Sequence, residues 1–213
     1  MPSNSTVDRA AIVSAARRML ERDGVAGLSM RRLADELGSK PMTLYHHVAN
    51  KSELLSLVLT DIAAEIEWAT PTGSPRERMV EIGMDMHHRL SSIAWIVPVL
   101  RTGTTVGTPA LALADRFLSA ALETGMTELR ALSLWRSTWY LATSELMWQA
   151  ELAERPDNEQ SWFDKIDPTV VAQVAPTVAG LLPRWPQHSA AFDLRAAITA
   201  QIDGTISTPG FAH

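Results

Sequence analysis

Between positions 29 and 51 the chain gathers side chains that suit a polyanionic partner: Ser29, Arg31 and Arg32, then Ser39, Lys40, Pro41, Met42 and Thr43, then Tyr45, His46, His47 and Lys51. Guanidinium, ammonium and hydroxyl groups meet phosphate oxygens, and mid-sized polar groups on an exposed helix meet base edges in a major groove about 12 Å wide. Spacing divides the roles. Met30, Leu33, Ala34 and Leu37 form the apolar stripe of a short helix that Ser29 can cap and Gly38 can end. Pro41, at ease only in a helix's first turn, starts another over about 40–46, with Leu44 and Val48 turned inward. Lys40, Thr43, Tyr45, His46 and His47 are left outside. Two short helices about a glycine turn make a helix-turn-helix, here about 29–48, whose second helix enters a groove. Ser29, Arg31 and Arg32 open the first of the pair, where the positive helix end can grip phosphates.

A second set of side chains suits a small molecule. Met84, Trp95, Trp135, Trp139, Tyr140 and Trp148 are bulky and apolar, and Trp135 and Trp139 lie four residues apart on one helical face, with Trp148 expected near it. Each alone fills a core as readily as a pocket. Together they fit a cavity for a flat or apolar ligand, with Arg101, Thr102, Thr105, Arg136 and Glu145 as polar anchors and His87 or His88 on the wall. His87 and His88, beside Asp85, lack the i, i+4 spacing of a helical metal pair, and the adjacent His46 and His47 point about 100° apart, so no metal site is expected. There is no nucleophile elbow, phosphate loop or pair of carboxylates on one helical face. No catalytic residue and no cofactor is expected, and an all-α enzyme is the weakest reading.

The elements that position these groups are all helical. Ile12, Ala15, Ala16, Met19 and Leu20 mark a helix over about 7–23 that Gly24 stops. Asn50 and Glu53 resemble a capping box opening a helix over about 51–69, before Pro71, Gly73 and Pro75. Further helices are expected at about 75–91, 93–101, 108–124, 128–154, 167–181 and 188–206, with a loop over 102–109 and a polar connection over 155–160. Residues 1–51 hold eight Lys/Arg against five acids, and the rest of the 213-residue chain eleven against nineteen, with all seven tryptophans after residue 67. A basic head of residues 1–52 and an acidic body of residues 53–208 therefore face different partners. No apolar run reaches the ~18–20 residues of a membrane span, the N-terminus has no signal-peptide core, and there is no cysteine. A cytoplasmic protein without membrane contact is expected.

The pattern Gly-x-x-x-x-Thr-Leu-Tyr-x-His-Val-x-x-Lys at residues 38–51, preceded by LSMRRLADELG and AARRMLERDGVAGLSM, resembles the tetracycline-repressor family of transcriptional regulators over about residues 7–60. The resemblance implies an all-α protein with a three-helix helix-turn-helix head and a larger helical ligand-binding and dimerisation domain. It implies a homodimer on palindromic double-stranded operator DNA, most simply a repressor released by a small-molecule effector. Residues 39–42 and Thr43 would face bases, while Tyr45, His47 and Lys51 would hold the backbone. The body, with LADRFLSAALETGM and LSLWRSTWYLATSELMWQAEL, is similar in layout to the tetracycline repressors' own C-terminal domain. In those repressors a histidine ahead of a Gly-Thr loop holds the drug-bound magnesium; Arg101 stands nearest here, which implies a different effector. The last helix, SAAFDLRAAITAQIDGTI, alternates small and larger apolar residues and with part of 128–154 could form the dimer face. A DNA-binding protein without small-molecule control is the alternative, and a cavity-free core would favour it.

Overall fold

The computed structural model describes residues 7–93, 95, 96, 99, 111–154 and 165–208, and among them the chain is all-α, without a strand. Helix α1 (Arg9–Gly27) begins where the Asp8 carboxylate accepts from the Ala11 amide, and it buries Ile12, Ala15, Ala16, Met19 and Leu20. Gly24 at φ +68° breaks it, as expected, and one more helical turn follows. Helix α2 (Met30–Glu36), a turn with Gly38 at φ +61°, and α3 (Pro41–Tyr45) complete the head. In α4 (Lys51–Glu65) Asn50 accepts from the Glu53 amide, but the Glu53 carboxylate reaches the Ala49 amide rather than that of Asn50.

The body comprises α5 (Pro75–Ser91), α6 (Leu111–Glu123), α7 (Glu128–Glu154), α8 (Pro168–Val174), α9 (Pro176–Leu181), α10 (Trp185–Ala190) and α11 (Leu194–Ser207), with a 3₁₀ turn at Leu182–Arg184. A true capping box of Ser74 and Glu77 starts α5, which packs against α6, α7 and α11 at once. Gly83 makes that possible. A Cβ on it would lie 3.0 Å from Thr138 Cγ2 and 3.2 Å from Ile198 Cδ1, so α7 and α11 approach the bare α5 backbone. Around it pack Met79, Ile82, Met86, Phe117, Leu134, Ile198 and Ile202, all buried. Arg76 pairs with Asp203, Arg78 with Glu123 and Arg195 with Glu81, all across helix boundaries. Such exposed pairs set register more than they add stability.

Three sequence expectations need correction. The helix over 51–69 ends at Glu65: Ile66 is extended, the Trp68 amide turns back to the Ile66 carbonyl (3.0 Å), and the body holds the chain beyond, Ala69 N donating to Asp85 (2.9 Å) and Arg116 to the Trp68 and Ala69 carbonyls (3.1 and 2.8 Å). The helix over 167–181 is two helices, because Pro176 drives Ala175 to φ −147°, ψ 66°. The helix over 188–206 is also two, separated at 191–193, where Asp193 caps α11 by accepting from the Ala196 amide. Most of the 93–101 segment, and the loops over 102–109 and 155–160, lie outside the described residues.

Candidate nucleic-acid interface and ligand cavity

The head buries Leu33, Ala34, Leu44 and Val48, which leaves one face of α3 and the start of α2 to solvent. On that face Met42 is 67% and Tyr45 45% exposed. Lys40, Pro41 and His46 are exposed, and Ser39, Thr43 and His47 half-buried. Arg31 is exposed and in no ion pair among the described residues. Two neighbours are more committed. Ser29 caps α2 by accepting from the Arg32 amide, and the Arg32 guanidinium bonds the Gly27 carbonyl and Asp23 (2.8 Å).

Lys51 occupies a position the sequence did not foretell. Its Nζ donates to the carbonyls of Val25 (2.8 Å) and Leu28 (2.7 Å), sewing the α1–α2 junction to the start of α4. Partial burial lowers the ammonium pKa from its ordinary value. Two of its three protons are thus engaged within the head, and one remains for an outside acceptor.

Helix α4 connects this head to the body. Its Leu54, Leu55 and Val58 are buried in the core that continues from α1, while Leu59, Ile62 and Ala63, with Ile66 just past its end, line a cavity of about 400 Å³. Trp68 extends that wall, Met86, Leu90, Ile93 and Ile96 form another, and Leu111, Leu113 and Ala114 of α6 a third. Trp135, Arg136, Trp139 and Tyr140 of α7 form the fourth, with the Phe117 ring tilted against Trp135 (centroids 5.2 Å apart). Size and apolarity match a small-molecule site.

Of the residues expected to line a pocket, Trp135, Arg136, Trp139 and Tyr140 therefore converge, and six others lie off the cavity. Trp148 is 43% exposed: nine residues beyond Trp139 is half a helical turn away, not the same face. Trp95 is buried but borders a separate cleft with Arg17, Glu65 and Arg89. Met84 packs half-buried against the core, His88 is exposed, and His87 and Glu145 are half-buried away from the cavity lining. Burial pushes the His87 imidazole pKa down, opposed by the charge of Glu145. Arg101, Thr102 and Thr105 lie outside the described residues. Leu59, Ile62, Ala63 and Ile66, which line the cavity, are not among the residues expected to do so.

At the far end of α4 the Arg17 guanidinium of α1 donates to both Glu65 oxygens (2.7 and 2.8 Å) and to Asp61 (3.4 Å). This pairing holds the Glu65 carboxyl below its ordinary value of 4.5. A depressed folded-state pKa stabilises the fold above the unfolded value and ceases to as pH falls through the folded one. Arg17→Gln is therefore expected to melt below wild type at about pH 7, with the gap closing toward about pH 3. A gap that persists in acid would show that Arg17 acts by packing alone.

Residues 12–58 match the model of bacterial regulatory proteins of the tetR family. An HTH-type transcriptional regulator of Saccharopolyspora erythraea is 37% identical over 112 residues, 52% of this chain and 47% of that protein. The chain thus spans about half the length of the curated relatives it matches. Among solved structures, apo ActR from Streptomyces coelicolor superposes with a TM-score of 0.74 at 21% identity, covering 95% of this chain and 96% of that one. The same protein is also known in complex with (S)-DNPA (TM-score 0.69, 21% identity, 94% and 96% covered). BioQ with its double-stranded DNA operator gives 0.66 at 22% identity, covering 95% and 99%. At such identities the likeness to these structures is one of fold.

Proposed function

Because the chain belongs to the tetR family of bacterial regulatory proteins, we propose that it is a ligand-responsive transcriptional regulator that binds a palindromic operator as a homodimer and is released by a small-molecule effector. The observation that carries this reading is the sharing of α4: one end packs in the helix-turn-helix core and the other lines the cavity. Relatives named as regulators, not enzymes, agree with it, as do neighbours solved with an operator and with a small molecule. A DNA-binding protein without small-molecule control would have no use for a 400 Å³ apolar space at the body end of α4.

In this reading Ser39, Lys40, Pro41, Met42 and Thr43 meet bases, with His46 beside them. Ser29, Arg31, Tyr45 and His47 hold phosphates, and Arg32 can join them only through the nitrogens its own ion pair leaves open. The dimer face is α7 with α11. Leu129 (73% exposed) and Leu132 (54%) stand out from α7, while Ala196, Ala200 and Gly204 leave α11 open to close approach. Arg130 bonds the Thr205 carbonyl, so the two stretches share one surface. Two α3 helices about 34–36 Å apart fit successive turns of DNA. An effector that moves the population from 1:99 to 99:1 must favour the released form by ~5.5 kcal/mol. No helix among the described residues is long and apolar enough to cross a membrane, and a regulator of this kind works beside DNA in the cytoplasm.

The test is a fluorescence-anisotropy titration of duplexes that the protein selects from a random library, with Tyr45→Ala beside wild type. The variant should bind about tenfold more weakly with its base preference kept, because a phosphate contact positions without specifying. Failure to enrich any duplex would overturn the regulator reading, and an altered preference would overturn the role of Tyr45.

A further inference from the structure

The cavity's described lining contains no carboxylate, no imidazole and no amide side chain. Its polar groups are the indole N–H groups of Trp68, Trp135 and Trp139, the Tyr140 hydroxyl and the Arg136 guanidinium. Arg136 differs from the arginines that tie the body helices together. Arg76, Arg78, Arg89 and Arg195 each meet a carboxylate, and Arg116 and Arg130 are capped onto backbone carbonyls. Arg136 instead donates from Nε to the Tyr140 hydroxyl (2.8 Å), its Cζ 5.3 Å from that ring's centre. Its two terminal nitrogens meet no acceptor among the described residues. A fork of four N–H groups with a full positive charge therefore stands, oriented by Tyr140, at the edge of an apolar, aromatic-walled space.

From this arrangement we infer that the effector is a planar aromatic acid, with its ring system between Trp135, Trp139 and the α4 wall and its anionic group on Arg136. The inference rests on the cavity being the effector site and adds the ligand's charge and its anchor. A cation in the same place would face the guanidinium with no acid among the described lining residues to hold it. A neutral hydrocarbon would fill the walls and leave the fork, which is exposed, to water alone. A planar acid satisfies both, since guanidinium and carboxylate pair through two parallel hydrogen bonds.

Two probes with the same rings separate these cases: 1-anilinonaphthalene-8-sulfonate, which is anionic, and N-phenyl-1-naphthylamine, which is neutral. Each is titrated into the full-length protein and read by energy transfer from tryptophan, with melting temperatures as a folding control. Arg136→Gln should weaken the sulfonate about tenfold or more and leave the neutral probe within about twofold, and Arg136→Lys should restore part of the loss. Equal losses for both probes, or none for either, would overturn the acid assignment while leaving the cavity as a binding site. Failure of both probes to bind wild type would overturn the cavity reading with it.

Discussion

Lys51→Met is expected to lower the melting temperature and the DNA affinity together, whereas Tyr45→Ala lowers only the affinity. Methionine keeps the length of the stem but cannot donate, so the Leu28 carbonyl loses its bond to Nζ and the Val25 carbonyl keeps only the 3.3 Å bond from the Leu28 amide. Hydrogen bonds from a charged donor to part-buried acceptors contribute about 1.5–3 kcal/mol. That is several degrees of melting temperature for a protein of this size. The same bonds fix the angle between the α1–α2 junction and α4, so α3 loses its setting and DNA affinity should fall about tenfold or more. Calorimetry and anisotropy on one preparation decide the matter. Intact melting with weakened DNA binding would mean that the ammonium serves the DNA alone.

The second large effect lies in the body. Gly83→Leu places a branched side chain where even a Cβ would stand 3.0 Å from Thr138 and 3.2 Å from Ile198. Neither neighbour has room to retreat, since both Thr138 and Ile198 are fully buried. Overpacking of this kind costs about 1–3 kcal/mol, and more where two helices must part. The urea midpoint should fall accordingly. Because α5 and α7 both line the cavity, binding of the neutral naphthylamine probe should weaken as well. Gly83→Ala is the informative control: the gain in helix propensity, about 1 kcal/mol, opposes the squeeze. A leucine variant as stable as wild type would show that α5 does not sit as closely on α7 and α11 as the structure has it.

The helix-turn-helix was legible because its signals are local: a cap at Ser29, a glycine at 38, a proline at 41 and apolar residues at helical spacing all act within a few residues. The cavity was legible in part for the same reason. Trp135, Arg136, Trp139 and Tyr140 share a face by periodicity alone, and the structure brings them to the cavity together. What sequence could not convey is which face of α5 turns toward α7. Met84, His87 and His88 were drawn in by chemistry, while Met86 and Leu90, bland in type, line the space. Lys51 was read from type and position as a phosphate ligand, and its bonds to carbonyls 23 and 26 residues earlier belong to tertiary structure. Trp148 and Pro176 are different. Simple periodicity and the missing N–H of proline already argued against the expected placements, so those signals were present and went unread.

The clamp on residues 68–69 determines how α4 can move. With the Ala69 amide held by Asp85 and two carbonyls held by Arg116, the chain just beyond the C-terminal end of α4 is tethered to the body. That tether favours a pivot over a slide, and the Arg17–Glu65 pair would carry α1 along with it. Fifteen residues of helix give an arm of about 22 Å. A tilt of about 10° at that fulcrum carries Lys51, and α3 behind it, through about 4 Å. In the dimer proposed above, a groove-reading helix displaced by that much in each half would no longer meet two successive turns of the duplex. The reach of the arm, rather than the size of the disturbance in the cavity, would set how sharply a bound molecule is felt at the DNA.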